Sequence, residues 1–187
     1  MDEFEKEWQK MLNGELYEAS HPEFLRRLML TRQKLREFNS LEPVMLADQK
    51  RILRSLLGSC GNNFHFNQPF RCDYGCNIHI GEDFFANFNL TVLDEAEVRI
   101  GDHAFIGPNV SIYTACHPLD AATRNTFAEW AEPVIIGNNV WIGGSTTILP
   151  GVRIGDNVVI GAGSVVTRNI PSDCVAVGNP ARVVRKL

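Results

Sequence analysis

The chain of 187 residues has no apolar run near the roughly 20 residues that a membrane-spanning helix needs. It also has no basic block, because 22 acidic residues outnumber 18 basic ones and give a formal charge of −4. The sequence therefore lacks the concentrated positive charge that is typical of proteins that bind nucleic acid or an anionic membrane. The sequence begins MDEFE, acidic where a secretion signal would be basic and then apolar, so we expect no export.

Cysteine is also scarce, with five residues in the chain. The number is odd, and a chain of this length can build an apolar core without disulfides. Reduced thiols in a cytoplasmic setting are therefore the expectation. The 15 glycines, by contrast, fall mostly in the last two-thirds of the chain, and the length fits one globular body with a small subdomain.

Helical patterning is confined to residues 1–60, which we predict to form a helical N-terminal subdomain. A first helix covers Glu3–Leu12 and ends at Asn13-Gly14, a typical C-terminal stop signal. A second helix begins near Pro22. Its predicted apolar face contains five side chains, Leu25, Leu28, Met29, Leu35 and Phe38.

The remainder, residues 61–187, repeats with a period of six. An aliphatic residue precedes each glycine turn at Ile100, Ile106, Ile112, Ile136, Ile142, Ile148, Ile154, Ile160 and Val166. A second series of small or β-branched residues runs at Val98, Ala104, Val110, Val134, Val140, Thr146, Val152, Val158 and Ser164. Even the gap from Ile112 to Ile136 is a multiple of six, so the two runs share one register.

A six-residue period fits neither an α-helix, with 3.6 residues per turn, nor a plain strand, which alternates every two residues. It fits a parallel β-helix, in which each hexad supplies one short strand and one corner and three hexads close one triangular coil. Glycine, asparagine and aspartate stand at the corners, as in Gly101-Asp102 and Gly155-Asp156-Asn157, where positive φ or crowding is expected. Stacked coils need their neighbours and capped ends.

The pattern lapses over residues 113–133 and then resumes in phase. In-phase resumption predicts a loop extruded from an otherwise uninterrupted prism, and loops on rigid scaffolds commonly carry function. This loop contains His117, and the following Pro118 restricts it to extended conformations.

Several motifs are more specific than the repeat itself. They are GELY (14–17), FRCDYG (70–75), FANFN (85–89), IYTACHP (112–118), IGNNVWIG (136–143), GAGS (161–164) and GNPAR (178–182). With these motifs the chain resembles the maltose/galactoside O-acetyltransferase family of the hexapeptide-repeat superfamily, and the maltose O-acetyltransferases in particular. The resemblance implies a mainly β fold, a left-handed parallel β-helix with a small N-terminal α-helical subdomain.

The resemblance also implies a reaction, the transfer of an acetyl group from acetyl-CoA to a sugar hydroxyl. Maltose, glucose or a galactoside would be the acceptor. His117 would be the general base in a ternary complex, without an acyl-enzyme and without a metal. Histidine suits this role because its side chain titrates near neutral pH. The expected assembly is a homotrimer with active sites between subunits.

Site residues follow from the same resemblance. Asp73, Asn87 and Glu95 would bind the acceptor sugar. The acetyl-CoA site would comprise Trp141, Gly144, Ala162, Thr167, Arg168, Arg182 and Arg185, with the arginines on the phosphates. Two positions depart from the family pattern: Glu95 replaces an aspartate, with Asp94 beside it as the alternative, and His21 stands where an acidic residue is common.

Other interpretations of the same residues stay open at this point. Cys116 beside His117 suggests a Cys–His nucleophile, but neighbours in an extended segment point to opposite sides. Cys72, Cys76 and His79 fall short of the paired spacing of a zinc site, so free thiols are favoured. A zinc enzyme similar to a γ-class carbonic anhydrase would need His79, His103 and His117 to converge across a subunit interface, and these three lack the close His pair of such sites. A non-catalytic β-helix scaffold is the last alternative.

Overall fold

The computed structural model describes residues 2–187, which form four helices and nineteen short strands. The helices are α1 (Glu3–Leu12), α2 (Pro22–Ser40), α3 (Leu46–Leu56) and α4 (Ala121–Arg124). The strands are β1 (Tyr17–Glu18), β2 (Phe64–Phe66), β3 (Phe70–Cys72), β4 (Ile78–Ile80), β5 (Phe84–Ala86), β6 (Leu90–Leu93), β7 (Val98–Ile100), β8 (Phe105–Ile106), β9 (Ser111–Tyr113), β10 (Ala115–Cys116), β11 (Ala128–Ala131), β12 (Val134–Ile136), β13 (Trp141–Ile142), β14 (Thr147–Ile148), β15 (Arg153–Ile154), β16 (Val158–Ile160), β17 (Val165–Val166), β18 (Cys174–Gly178) and β19 (Ala181–Lys186).

The first three helices form a small layer against the start of the β-helix. Asp2 caps α1 by accepting a hydrogen bond from the Glu5 amide at 2.7 Å, and the helix ends where the sequence predicts. The predicted face of α2 is wrong at two positions, because Leu25 is 55 % and Met29 45 % exposed. The buried side chain next to them is Phe24, whose aromatic ring packs in a cluster of its own with Phe4, Trp8, Met11, Tyr17 and Tyr74. Within residues 2–187, no helix is long and apolar enough to cross a bilayer.

The strands stack into a three-sided prism, which confirms the predicted parallel β-helix. The first face contains β2, β5, β8, β13, β16, β18 and β19; the second contains β3, β6, β9, β14 and β17; the third contains β4, β7, β12 and β15. All pairs within the faces are parallel except β18–β19, an antiparallel pair that ends the stack. Both predicted series of hexad residues are buried inside the prism.

The repeat begins earlier than the glycine-based pattern indicates. Phe64, Phe66, Phe70 and Cys72 already occupy inward positions of the first coil, and aromatic residues there hid the aliphatic period. The step from Cys72 to the equivalent inward position of the next strand, Ile80, is eight residues, and so is the step from Val92 to Ile100. The loop at 113–133 is therefore the longest of three breaks made by insertion, which corrects its interpretation as a single one.

Corners of successive coils stack into three edges. The first edge, between first and second faces, carries Asn87, Gly144 and Ala162. The second edge, between second and third faces, contains all three breaks of the repeat. The third edge is a polar ladder, in which Asp102 accepts from the Glu82 amide and Asn138 from the Asp102 amide, each at 2.8 Å. A Cβ on Gly101 would collide with the Asn138 carboxamide, which explains the recurring Gly-Asp and Gly-Asn pairs.

Candidate active site

Three of the predicted site residues meet on the second edge of the prism. Asp73 follows β3, Glu95 follows β6, and His117 follows β10, so the three breaks in the repeat each place one of them there. A two-residue insertion at each of the first two breaks widens the corner and lets polar side chains stand where a tight turn would exclude them.

The extruded loop is ordered by strands of its own. β10 and β11 pair antiparallel, with Cys116 opposite Trp130, and β11 also pairs antiparallel with β1 of the N-terminal subdomain. Asp120 caps the one-turn helix α4 by accepting from the Thr123 amide at 2.8 Å. His117 therefore leaves a paired strand, and its side chain is 53 % exposed at the edge.

Glu129 faces His117 and was missed by sequence reasoning. Its Oε1 lies 3.8 Å from His117 Nδ1, and its Oε2 accepts a hydrogen bond from the Tyr17 hydroxyl at 2.8 Å. Burial, followed by the negative charge of Glu129, raises the pKa of Tyr17, so the phenol stays a donor. The only signal available in the sequence was an acidic residue within the extruded loop, since 112 residues separate Tyr17 from Glu129.

Asp94 and Glu95 have different surroundings, although they are neighbours. Asp94 is fully buried and accepts from the backbone amides of Asp73 (3.1 Å), Tyr74 (2.8 Å) and Asn77 (3.3 Å). The Asp94 carboxylate is therefore directed at the backbone around Asp73 and not at solvent. Burial raises its pKa to about 7 even though these amides lower it.

Glu95 is the acidic group that lies beside Asp73. Burial and then the negative charge of the nearby Asp73 raise the pKa of Glu95 well above its usual range. Thr114 lies 3.3 Å from Glu95 Oε2 and donates to the Leu93 carbonyl at 2.8 Å. The pair therefore offers a carboxyl donor and carboxylate acceptors side by side, the groups that hydrogen-bond to hydroxyls.

His21 takes a structural position. It is the N-cap residue of α2, its Nδ1 accepts from the Glu23 amide at 3.2 Å, and its ring packs 5.4 Å from the ring of Phe4. The imidazole occupies the place of an N-cap carboxylate, so this departure from the family pattern is satisfied locally.

Residues that the resemblance assigns to acetyl-CoA do not converge within one chain. Trp141, Gly144 and Ala162 line a cleft of about 420 Å³ along the first face and first edge, together with Phe85, Phe105 and Pro108. Thr167 and Arg168 instead follow β17 on the second edge, and Arg182 and Arg185 lie on β19. Asn87 belongs to the first-edge cleft, a full prism face away from His117.

The thiols are all free, and the environment of Cys116 opposes a nucleophilic role. Burial and then the charge of Glu132 raise the pKa of Cys116 to about 11, so this side chain stays a thiol at neutral pH. His79 lies on the third face, His103 on the third edge and His117 in the loop. Across residues 2–187, no three His, Cys, Asp or Glu side chains are grouped so as to hold a metal ion.

Two family models match the chain. A model described as a maltose acetyltransferase hexapeptide capping motif matches residues 10–61, and one described as a bacterial transferase hexapeptide (six repeats) matches residues 133–168. The first covers the end of α1 through α3, and the second covers the glycine-rich coils after the extruded loop.

Relatives match over nearly the whole chain. A putative acetyltransferase of Saccharomyces cerevisiae, YJL218W, is 52 % identical over 180 residues, which cover 96 % of this chain and 92 % of the yeast protein. The crystal structure of a maltose O-acetyltransferase from Clostridium difficile 630 is 49 % identical and superposes with a TM-score of 0.96 over 97 % of both chains. A galactoside acetyltransferase in complex with coenzyme A is 39 % identical with a TM-score of 0.92, covering 95 % of this chain and 89 % of that one.

Proposed function

The chain belongs to the maltose and galactoside O-acetyltransferase family of left-handed β-helical hexapeptide-repeat enzymes, and we propose that it transfers the acetyl group of acetyl-CoA to a sugar hydroxyl. The observation that carries the proposal is that the second edge carries two polar pairs, His117 with Glu129 and Asp73 with Glu95. The coenzyme A in the related galactoside acetyltransferase supports the donor. The acceptor is maltose, glucose or a galactoside-like sugar, and the enzyme acts in the cytoplasm with its five thiols reduced.

His117 is the general base of the proposed reaction. With Nδ1–H directed at Glu129, the lone pair of Nε2 is left to take the proton of the attacking hydroxyl. The sugar oxygen forms a bond to the thioester carbonyl carbon, the C–S bond breaks, and the imidazolium returns the proton to the leaving thiolate. Both substrates are bound together, so no acyl-enzyme forms. Glu129 holds the tautomer and is itself held by Tyr17.

Asp73 and Glu95 bind the acceptor. The Glu95 carboxyl, whose pKa is raised, donates to one sugar hydroxyl, and the oxygens of Asp73 accept from the next. Asn87 completes the acceptor site from the first edge: its Oδ1 accepts from the Phe88 amide at 2.8 Å, which leaves its amide nitrogen to donate to a sugar oxygen.

The cleft along the first face fits acetyl-CoA. Its apolar walls, which include Trp141, suit the pantetheine arm, and Gly144 and Ala162 expose backbone groups for hydrogen bonds. The amide of Gly144 is the donor to the developing oxyanion. Thr167 and Arg168 lie further along the arm, and Arg182 and Arg185 bind the adenosine phosphates.

Two copies are needed for one site. The acceptor base lies on the second edge and the cleft on the first, so the second face separates them within a chain. Placing the first edge of one copy against the second edge of the next completes a site, and repeating this head-to-tail contact closes a ring. The proposed ring is the homotrimer, in which the three second faces turn toward its axis.

The test is acetyl-CoA turnover against a panel of sugars, with His117→Ala compared to the natural chain. The variant is expected to lose at least about 10²-fold in rate, the low end for a general base. The control is Cys116→Ala at the neighbouring position, which keeps its activity because that thiol takes no part. Equal rates for H117A would remove the base, and natural protein inactive on every hydroxylated acceptor would favour a scaffold role. Stoichiometric zinc in active protein would favour the metalloenzyme.

A further inference from the structure

Asn87 is the last member of a line of three polar side chains that begins in the first coil. Asn67 stands one coil earlier at the same corner of the first edge, because β2 pairs with β5 in parallel and the two asparagines directly follow these strands. Asn67 Nδ2 lies 3.5 Å from Asn87 Oδ1, and Asn67 Oδ1 lies 2.9 Å from His65 Nε2. The three side chains form a hydrogen-bond chain within one copy of the protein, and the chain ends at the proposed acceptor site.

The backbone decides which atoms of this hydrogen-bond chain donate. Asn87 Oδ1 accepts from the Phe88 amide at 2.8 Å, and this contact identifies it as the oxygen of the carboxamide. An oxygen there needs a donor from Asn67, so the Nδ2 of Asn67 faces Asn87 and its Oδ1 faces His65. That Oδ1 in turn needs a donor, so neutral His65 carries its proton on Nε2.

The ring of His65 is held in place on the outer surface of the first face. It stacks on Phe85, its register partner in β5, with 5.7 Å between the ring centroids and 10° between the ring planes. Stacking limits rotation of the imidazole, so Nε2 stays directed at Asn67. The start of the hydrogen-bond chain is therefore fixed by packing, whereas its end is fixed by the backbone.

The hydrogen-bond chain stops at Asn87 because the next two corners of the first edge carry glycines. Gly107 and Gly143 follow β8 and β13 as Asn87 follows β5. A Cβ on Gly107 would lie 2.6 Å from the amide nitrogen of Gly144, so no larger residue fits there. In the part of the chain that the structure describes, Asn87 Nδ2 makes no hydrogen bond, and Asn87 lines the first-edge cleft. Its one free donor is thus available to a substrate.

A carboxamide can flip without changing its shape, so its hydrogen bonds decide which atom faces the cleft. If Asn87 flipped, its Nδ2 would meet two other donors, the Phe88 amide and Asn67 Nδ2, and its oxygen could not donate to a sugar. We propose that Asn67 and His65 are positioning residues for acetyl transfer, which keep Asn87 Nδ2 directed at the acceptor. This inference rests on the proposed function and adds two residues that bind no substrate themselves.

The first experiment compares Asn67→Asp with Asn89→Asp. An aspartate at position 67 cannot donate to Asn87, and its carboxylate favours the flipped carboxamide. We expect N67D to lower kcat/KM for the sugar about tenfold, the upper end for a neutral hydrogen bond, with the KM for acetyl-CoA and the melting temperature unchanged. Asn89 donates to Asn109 of the following coil at 3.0 Å, so N89D removes an equivalent donor elsewhere and should keep full activity. Equal rates for the two variants overturn the proposal.

His65 has a matched pair of its own. His65→Gln keeps an N–H donor within reach of Asn67 and should retain kcat/KM for the sugar within about twofold. His65→Phe keeps an aromatic ring on Phe85 but has no donor, and it should lose about as much as N67D. If both substitutions at residue 65 give the same rate, the histidine only packs and has no positioning role.

The tautomer of His65 tests the hydrogen-bond chain without any turnover. Nitrogen NMR of the natural chain with isotope-labelled histidine, assigned by comparison with H65Q, should show neutral His65 protonated on Nε2. Protonation on Nδ1 would make Nε2 an acceptor, reverse the donors through Asn67 and overturn the inference, even in an enzyme that acetylates sugars. The Nε2–H tautomer in a protein that acetylates no sugar upholds the fixed orientation of Asn87 and counts against the proposed function alone.

Discussion

At the scale of single residues, two carboxylates that take no part in bond making set the geometry of the candidate site. Glu129 faces the ring of His117 at 3.8 Å within the extruded loop, and Asp94 accepts a hydrogen bond from the backbone amide of Asp73. Glu129 is partly exposed and accepts a hydrogen bond from the Tyr17 hydroxyl, whereas Asp94 is fully buried and accepts from three backbone amides. Their removal is therefore expected to have different consequences, one kinetic and one thermodynamic.

Glu129→Gln is expected to lower kcat by at least about tenfold, because an amide no longer fixes the tautomer of His117. The KM for acetyl-CoA and the melting temperature should stay unchanged. Glu132→Gln, a carboxylate at the end of the same loop, is the matched control and keeps full kcat. A parallel loss of kcat and melting temperature in E129Q would show that Glu129 only holds the loop together.

Asp94→Asn tests the buried carboxyl group through the pH dependence of stability. The pKa of Asp94 is raised from 3.8 to about 7 on folding, so the folded state binds more protons than the unfolded state between these values. This contribution to stability falls as the pH rises through that window, by on the order of 1 kcal/mol per pH unit. The stability difference between the natural chain and D94N should therefore be larger at pH 5 than at pH 8. Denaturant unfolding at both values measures it, and a difference that grows with pH contradicts the assignment.

At the scale of elements, each coil closes only if backbone approaches backbone at its corners. Gly143, on the first edge, shows how tightly successive coils are spaced: a Cβ there would lie 2.5 Å from the amide nitrogen of Ala162 in the next coil. Gly163, one coil on, has φ of +71° but no atom within 4 Å of such a Cβ. The two glycines are thus required for different reasons, one for space and one for conformation.

Gly143→Ala is expected to destabilise the chain more than Gly163→Ala. The first substitution pushes two coils apart, while the second costs only the roughly 1 kcal/mol of a left-handed alanine, or about 2–4 °C in melting temperature. Melting at one fixed protein concentration compares them. Equal losses of melting temperature would mean that the coils can move apart to accommodate a Cβ at residue 143 without loss of stability.

Secondary-structure elements could be predicted where local spacing or capping residues determine them. The hexads of the later coils and the ends of α1 follow from spacing and capping, and the structure bears them out. The first coil could not be recognised from the aliphatic repeat, because its inward residues are mostly aromatic. The buried side of α2 could not be predicted correctly, because a broad apolar stripe does not specify which of its residues face the prism. The contact between Tyr17 and Glu129 could not be predicted, since no pattern in either segment specifies its partner.

At the scale of the whole molecule, the division of the site between two edges decides what a single chain can do. In the proposed arrangement, one copy carries both halves of a site but cannot bring them together, because a full face lies between them. A ring of copies uses every half once. Activity and assembly are consequently expected to vary together with protein concentration.

Mixing two inactive variants tests this arrangement. His117→Ala inactivates the half-site on the second edge, and Asn87→Ala inactivates the half-site on the first edge. In trimers formed at random from equal amounts of both, about a quarter of the sites combine two intact halves and regain activity. Sedimentation should give three times the 20.9 kDa mass of the chain for each preparation. Mixed trimers that stay inactive would place the complete site within one chain.

The pairing of β1 with β11 can form only late in synthesis, because the two strands are far apart in the sequence. Tyr17 leaves the ribosome early, yet Glu129, its hydrogen-bond partner, is made 112 residues later. At bacterial or eukaryotic speeds of about 5–20 residues per second, β1 waits on the order of 5–20 s for its partner strand. During that interval the helical layer has only the early coils to pack on. We therefore expect the N-terminal segment to be the part of a nascent chain that most needs shielding by chaperones.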